Sequence, residues 1–172
     1  MANSKKKGNK NEREVSKWFQ EWTGFEFSRV PASGGLRWQK QDDINGDVIC
    51  TDKRHGRRMT LSIEAKSYKD INFEHVILGN KRTKILEFWE QTQASAKRAN
   101  KIPILFMRYN GMPKGIYFVV VRIDTYNIIN NIRELLEPHF IDKVNNIVIM
   151  NSKSIKLTNY LTLHKSLKHA SK

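Results

Sequence analysis

Two near-continuous apolar segments near the middle of the chain constrain its fold more than any other feature. They run from Ile102 to Tyr109 and from Gly115 to Arg122, and a polar turn separates them. A strand that is apolar on both faces must be covered on both, as at the centre of a sheet between layers of helices. Neither segment is long enough to cross a bilayer. The sequence therefore predicts an α/β protein built on a central sheet, with no membrane segment.

Two amphipathic segments predict helices that can cover this sheet. From about Asn9 to Thr23, apolar residues recur at i, i+3, i+4 and i+7, and Gly24 provides a stop signal. A second apolar stripe runs from about Lys84 to Asn100. On a helical wheel, Glu12 lies toward the edge of the first stripe, so its carboxylate can reach inward from the first turn.

Three short segments between these helices predict consecutive strands. Phe25–Pro31 carries aromatic residues and a valine, and Gly46–Thr51 carries two β-branched residues. Arg57–Lys66 alternates between polar and apolar residues, which suits the antiparallel partner of the strand before it. The order of helix, three strands, helix and further strands predicts an α/β sandwich around a mixed sheet.

The rest of the chain predicts a helix from Asp124 through about Leu136, then a strand at Asn146–Met150 and a terminal helix. No glycine-rich phosphate loop opens a helix, which excludes a Rossmann fold. No internal repeat or proline-rich linker divides the sequence. The predicted organisation is a basic amino-terminal arm at 1–8, a core at 9–123, and an extension at 124–172 that ends in a basic tail and packs on the core.

The charge balance indicates a polyanionic partner. With 31 Lys and Arg against 17 Asp and Glu, the formal charge is +14, and 39% hydrophobic residues are too many for a disordered basic tail. Nucleic acid is the first partner to consider, because phosphate contacts supply most non-specific binding. A basic ribosome-associated or RNA-binding protein is the alternative. The single cysteine, Cys50, excludes a disulfide framework and a cysteine-built zinc site, which favours a reducing, cytoplasmic location.

The most informative motif pairs Gly46-Asp47 with Glu64-Ala65-Lys66, on the two strands of the predicted hairpin. Because side chains alternate along a strand, Glu64 and Lys66 project from the same face, and the hairpin can bring Asp47 beside them. Two neighbouring carboxylates bind a hard divalent cation well. The Ala65 carbonyl and waters can complete an oxygen shell that suits Mg²⁺ or Mn²⁺.

This arrangement suits the hydrolysis of a phosphodiester. A bound metal lowers the pKa of a water and neutralises charge that grows in the transition state, while Lys66 can orient the water or stabilise the oxyanion. The alternative is an exposed, salt-bridged hairpin without chemistry. Both carboxylates, however, adjoin apolar strand residues, where an unpaired charge is costly without a metal or another partner.

These segments resemble the PD-(D/E)XK nuclease superfamily and, within it, the archaeal-type Holliday-junction resolvases. The resemblance covers about Lys7 to Tyr109 and implies a restriction-endonuclease-like core. Gly46 stands where the name of the superfamily has a proline. Four segments occur in the order that the family shows: Lys7-Gly8 with Glu12-Arg13-Glu14, Arg29-Val30-Pro31-Ala32-Ser33-Gly34, Gly46-Asp47, and Glu64-Ala65-Lys66.

The resemblance implies a role for each matching position. Asp47 and Glu64 would be direct metal ligands, and Lys66 would be the catalytic lysine. Glu12 would be a further carboxylate that assists metal or water binding, and Ser33 would lie near the scissile phosphate. Glu12 could instead be an ordinary first-turn acid, and Ser33 could be a turn residue before two glycines.

Other positions concern the substrate. The family has a polar residue on the helix after the lysine strand, which implies a catalytic role for Gln91, with Gln93 or a plain solvated face as alternatives. Trp38 could stack on a base or pack against a second subunit. The predicted DNA-binding residues are Arg29, Arg37, Trp38, Lys40, Lys7 and Lys10.

The sequence thus predicts a Mg²⁺-dependent endonuclease, with Mn²⁺ able to substitute, that cuts four-way DNA junctions. A homodimer is expected, because symmetric cleavage needs two sites in a fixed relation. No small-molecule cofactor is expected. The first alternative is a restriction-like, repair or phage nuclease that acts on duplex or flap DNA, and a phage enzyme would work in the host cytoplasm. The second alternative is a basic DNA-binding protein without catalysis.

Overall fold

The computed structural model describes residues 2–30, 46–54, 59–69, 71, 73–78, 83–132, 140–156 and 160–170. Over these residues the chain alternates between helices and strands, as the hydrophobic periodicity predicts. In chain order the elements are α1 (Ala2–Thr23), β1 (Phe27–Arg29), β2 (Val48–Cys50), β3 (Leu61–Tyr68), α2 (Glu74–Ile77), α3 (Lys84–Arg98), β4 (Ile102–Tyr109), β5 (Phe118–Arg122), α4 (Ile123–Ile132), β6 (Phe140–Asp142), β7 (Ile147–Asn151), α5 (Ser152–Lys156) and α6 (Tyr160–Ala170).

The strands form one seven-stranded sheet in the order β1-β2-β3-β4-β5-β7-β6. β3 and β4 are parallel, and the chain between them crosses over through α3. The other neighbours pair antiparallel, including the predicted β2–β3 hairpin. The mixed sheet flanked by helices is therefore confirmed, and it is the arrangement of a restriction-endonuclease-like core.

Two apolar cores lie on opposite faces of the sheet. On one face, Val15, Trp18 and Phe19 of α1 pack with Phe106 of β4 and with α4 and α6. On the other face, Trp89 of α3 packs against the alternate residues of β4 and β5. The central residues of both strands are buried, which confirms that these apolar segments are covered on both sides.

Helix α3 begins at a capped end. The Thr83 hydroxyl accepts a hydrogen bond from the Leu86 backbone N–H at 3.3 Å, which satisfies one of the free N–H groups of the first turn. Ile85, Trp89, Thr92 and Ala96 then form the buried stripe of this helix. The stripe fixes which side of α3 faces the sheet.

The first helix begins at Ala2, earlier than the predicted start near Asn9. Residues 2–8, expected as an arm, therefore form the first turns of α1. Lysine is a good helix former, and one glycine within a helix is tolerated at a cost of about 1 kcal/mol, so this basic segment extends the helix although it lacks an apolar stripe. Lys6, Lys7 and Lys10 are exposed along it.

The carboxy-terminal part contributes to the same sheet. The strand predicted at Asn146–Met150 is β7, which pairs with β5 from Phe118↔Asn151 to Arg122↔Ile147. β6 pairs with its other side and was not predicted, because three residues are too few to show a period. The short helix α2 was missed for the same reason. The residues from β6 onward thus complete the sheet as well as packing on it.

Candidate active site at the fork between two strands

The sheet splits where β2 meets β3, and Asp47 lies in the fork. Val48 pairs with Ile63, and the Asp47 backbone N–H donates to the Ile63 carbonyl at 2.8 Å. Further along β3, the Ala65 N–H donates to a side chain of the neighbouring segment, Asp47 Oδ2, at 3.0 Å. The carboxylate of Asp47 is therefore held by the backbone of the neighbouring strand.

Gly46 allows this close approach. Its φ is +89°, and a Cβ placed there would overlap the carbonyl oxygen of Ile63. Proline, which the superfamily's name has at this position, is locked near φ −65° and cannot adopt this conformation. The replacement of the superfamily's proline by Gly46 thus has a physical reason, because only glycine fits the backbone here.

Lys66 joins the two predicted metal-binding carboxylates. Its Nζ lies 3.0 Å from Asp47 Oδ2 and 2.9 Å from Glu64 Oε2. The side chain of Glu64 is 9% exposed, whereas those of Asp47 and Lys66 are 28% and 25% exposed. The oxygens of both carboxylates are therefore directed to one point at the rim of the sheet.

Glu12 reaches the same region from helix α1. Its Oε2 accepts a hydrogen bond from Arg29 at 3.2 Å, and Arg29 also donates to Asn9 at 3.3 Å. Burial and the neighbouring Asp47 carboxylate raise the pKa of Glu12, although Arg29 opposes the rise. We call the set of Glu12, Asp47, Glu64 and Lys66 the acidic cluster.

The protonation behaviour of this cluster reflects crowded negative charge. Burial, followed by the adjacent Asp47 carboxylate, raises the pKa of Glu64 from 4.5 to about 7. Burial lowers the pKa of Lys66, but the two carboxylates outweigh it and hold that pKa above its ordinary value. A carboxyl with a strongly raised pKa, next to a lysine at the edge of a sheet, is typical of a functional site.

The carboxylate pair fits a hard divalent cation. Asp47 and Glu64 direct oxygens to one point, and burial and the Asp47 carboxylate raise the pKa of Glu64, so a cation bound there would stabilise its ionised form. Mg²⁺ is commonly held by one or two carboxylates, with waters and substrate phosphates as the other ligands. Within the part of the chain that is described, no three His, Cys, Asp or Glu side chains are gathered for metal binding. All four predicted ligands, Asp47, Glu64, Glu12 and the Ala65 carbonyl, stay predictions.

The other predicted site residues form no hydrogen bond or ion pair with Asp47, Glu64 or Lys66 in the structure, or lie outside the residues that it describes. Arg29, expected to bind DNA, is engaged with Glu12 and Asn9, and its side chain is 21% exposed. Gln91 is exposed on α3, and the structure records no hydrogen bond from it to any residue of the acidic cluster among those described. Ser33, Arg37, Trp38 and Lys40 lie outside the described residues.

A second group of side chains lies on the side of α1 away from Glu12, and the sequence patterns did not predict it. Arg108 of β4 donates to Glu14 at 2.7 Å and to the Met112 carbonyl at 2.8 Å. Asn11 is buried beside it. Asn11 lies four residues before Val15 and therefore continues the apolar stripe of α1. A polar residue on such a stripe is the signal that could have marked this place.

Two comparisons with known proteins found matches to this chain. A protein family described as "phage putative PDDEXK endonuclease" matches residues 3–168. Protein D14 of Escherichia phage T5 is 26% identical over 107 residues, which cover 62% of this chain and 65% of that protein. The chain thus spans just under two thirds of the length of this relative. No solved structure matches the chain.

The matched family is a phage one, and the likeness to archaeal-type resolvases stays a prediction. Among the described residues, no helix has both the length and the apolar character to span a bilayer. Because the match from residue 3 to residue 168 takes in nearly the whole sequence, the chain belongs to this family of phage PD-(D/E)XK endonucleases.

Proposed function

We propose that this protein is a Mg²⁺-dependent endonuclease that hydrolyses phosphodiester bonds of DNA during phage DNA processing, in the cytoplasm of the host. Membership in a PD-(D/E)XK endonuclease family implies a nuclease. The observation that carries the proposal is the convergence of Asp47 and Glu64 on Lys66 at the fork of the sheet, with Nζ 3.0 Å from Asp47 Oδ2 and 2.9 Å from Glu64 Oε2.

Each side chain of the acidic cluster has a task in this proposal. Asp47 and Glu64 would hold the cation, with the Ala65 carbonyl and Glu12 as further ligands. When bound there, Mg²⁺ would lower the pKa of a coordinated water and neutralise charge on the phosphate. The Lys66 ammonium would donate to the attacking water or to a phosphate oxygen.

The substrate proposal rests on charge. A chain with a formal charge of +14 attracts a polyanion, and the two carboxylates of Asp47 and Glu64 would weaken DNA binding unless a cation lies between them and the phosphate. Among DNA substrates, the phage family favours general DNA processing. The four-way junction and the homodimer that the resemblance implies are specific versions of the same proposal.

The decisive experiment compares four substrates in one assay. Supercoiled plasmid, linear duplex, flap and four-way junction are incubated with the protein in Mg²⁺, in Mn²⁺ and in EDTA. We expect cleavage with either metal and none in EDTA. Paired symmetric nicks confined to the junction would identify a resolvase, and cutting of duplex or flap DNA would identify a broader processing nuclease.

Two variants separate catalysis from binding. Asp47→Asn removes one charge from the acidic cluster, and we expect it to bind DNA but not to cut it. Asp124→Asn is the matched control, because Asp124 is more than half exposed at the start of α4. If Asp47→Asn cuts as fast as Asp124→Asn, the proposed active site is wrong. If wild-type protein binds DNA but cuts none of the substrates, the non-catalytic alternative holds.

A further inference from the structure

A polar cleft lies beside the acidic cluster, at the same carboxyl end of β3 and β4. It has a volume of about 420 Å³ and lies between the amino-terminal half of α1 and the turn that follows β4. Ser67, the neighbour of Lys66 on β3, lines it. We call this site the basic cleft; the lining residues that matter are Lys7, Lys10, Asn11, Glu14, Arg108 and Lys114.

The register of the sheet relates the basic cleft to the proposed catalytic lysine, which lies at the same end of β3 but points to the other face. Ser67 pairs with Arg108 across the parallel β3–β4 ladder. Since side chains alternate, Lys66 points to one face of the sheet and Ser67 to the other. From the spacing of residues and strands, the Cα atoms of Lys66 and Arg108 are roughly 6 Å apart. The basic cleft and the acidic cluster therefore lie at the same end of the sheet but on opposite faces, and a phosphate held in the cleft is a different one from the phosphate that is cut.

The charge of the basic cleft is strongly positive. Lys7, Lys10 and Lys114 are exposed at its rim. Arg108 is neutralised by Glu14 at 2.7 Å, and Lys10 approaches the same carboxylate only to 4.0 Å. The cleft thus keeps an excess of cations that its one acid does not balance. Such an excess attracts an anion.

A buried amide provides a second, independent observation. Asn11 lines the cleft and is 3% exposed, and neither its Nδ2 nor its Oδ1 has a hydrogen-bond partner among the described residues. Leaving both ends of a buried amide unpaired is costly, and native proteins rarely do so without a ligand or water. The Nδ2 group is a donor that suits a phosphate oxygen.

We propose that the basic cleft binds an internal backbone phosphate of the DNA substrate, apart from the phosphate that is cut. Lys114 and Lys10 contribute the charge, and Asn11 contributes a neutral donor. Arg108 and Glu14 fix the wall of the cleft by their mutual pair. This inference rests on the proposed nuclease function and names a second phosphate contact for it.

The test measures DNA affinity in EDTA, where no cleavage is expected, so its outcome is separate from that of the cleavage assay. The probe is a short fluorescent duplex with 5′-hydroxyl ends, titrated at several salt concentrations. Lys114→Ala is expected to weaken binding severalfold and to lower the slope of log K against log salt by about one. Lys143→Ala is the matched control, since Lys143 is an exposed lysine in the turn between β6 and β7, at the opposite edge of the sheet.

Asn11 is tested by two substitutions of similar size. Asn11→Asp introduces a negative charge and is expected to weaken binding more than Asn11→Leu, which only removes the donor. Equal affinities and salt slopes for Lys114→Ala and Lys143→Ala would overturn the proposal, whatever the Asn11 variants do. A second outcome would also overturn it: Lys114→Ala binds more weakly than wild type only when the duplex carries 5′-phosphate ends. The cleft would then hold a strand terminus.

Discussion

The two sides of helix α1 each hold an arginine–glutamate pair, but the surroundings of the two pairs carry opposite charge. On one side Arg29 donates to Glu12 at 3.2 Å, and on the other Arg108 donates to Glu14 at 2.7 Å. The first pair lies near the Asp47 carboxylate of the acidic cluster. The second adjoins the three lysines of the basic cleft.

This difference separates two tasks that one DNA-cutting protein must perform. Acids near a phosphate oppose binding, so they are useful only where a cation can sit between them and the DNA. Lysines hold the backbone wherever it passes. One helix contributes to both sites because Glu12 and Glu14 are two residues apart and point to different sides of it.

Replacing Lys66 is expected to have the largest effect on the acidic cluster. Lys66→Met keeps the length of the side chain but removes the charge that contacts Asp47 and Glu64. Loss of one donor to a developing oxyanion lowers the rate by about 100- to 1,000-fold, and we expect a loss in this range for plasmid nicking. Lys143→Met serves as the control, and equal rates for the two variants would contradict a catalytic role for Lys66.

Gly46→Ala tests whether backbone fit at the fork positions Asp47. The new Cβ would overlap the Ile63 carbonyl, and the φ of +89° would add strain of about 1–3 kcal/mol. A displacement of about 1 Å at Asp47 can cost roughly 100-fold in rate. We expect lower thermal stability and, at a temperature where the variant is folded, a cleavage rate reduced by about 10- to 100-fold.

A second glycine controls for strain alone. Gly24 also has a positive φ, of +75°, but no atom lies within 4 Å of a Cβ placed there. Gly24→Ala should therefore lose stability without losing cleavage rate in the folded protein. If Gly24→Ala lowers the rate as much as Gly46→Ala does, the fork does not depend on the contact with Ile63.

The raised pKa of Glu64 predicts how stability depends on pH without metal. Between its ordinary pKa of 4.5 and its folded pKa of about 7, the folded protein holds a proton that the unfolded chain has released. The free energy of unfolding in EDTA should therefore fall as the pH rises from about 4.5 through 7. Thermal unfolding across this range measures the effect, and Glu64→Gln should remove much of this slope.

Adding Mg²⁺ sharpens the same prediction. A cation binds the ionised carboxylates, so its stabilisation should be larger at pH 8 than at pH 5. The basic cleft has no such dependence in our account, and Lys114→Ala should leave the difference between the two pH values unchanged. A Mg²⁺ effect that is equal at both pH values would speak against a metal at Glu64.

The smallest expected effects come from the two arginines that flank α1. Arg29 lowers the pKa of Glu12, so in Arg29→Gln that pKa should rise further and shift the pH profile of cleavage upward, with a severalfold loss of rate near pH 7. Arg108→Gln should instead change the DNA affinity and its salt dependence. If the two variants have identical pH profiles of cleavage and identical DNA affinities, the two sides of α1 do not have different tasks.

Much of the fold follows from the sequence because its long elements carry a clear period. The stripe of α1 and the two apolar strands were each predicted near their observed bounds. The start of α1, and short elements such as β6, were not, since exposed lysines and three-residue strands show no hydrophobic period.

The acidic cluster was predictable for a different reason. Alternation along β3 places Glu64 and Lys66 on one face, and the hairpin brings Asp47 to them, as the structure shows. Lys7 and Lys10 of the basic cleft were predicted to bind DNA, but the cleft itself was not predicted, because its members come from α1, β4 and the turn after β4. Only the parallel β3–β4 pairing, which spans a long crossover, brings Arg108 next to this part of the chain.

The most direct test of the central claim is the Mg²⁺-dependent cleavage rate of Glu64→Gln, measured on saturating plasmid DNA beside wild type and Glu87→Gln. Glu87 is a partly exposed acid on α3 that pairs with Lys84, which makes it a fair control. Loss of a partner that only supports a metal ligand costs about 10- to 100-fold, so loss of a ligand itself should cost more than about 100-fold. The account predicts this loss for Glu64→Gln, with DNA affinity kept or increased. Cleavage by Glu64→Gln at the rate of Glu87→Gln would contradict it.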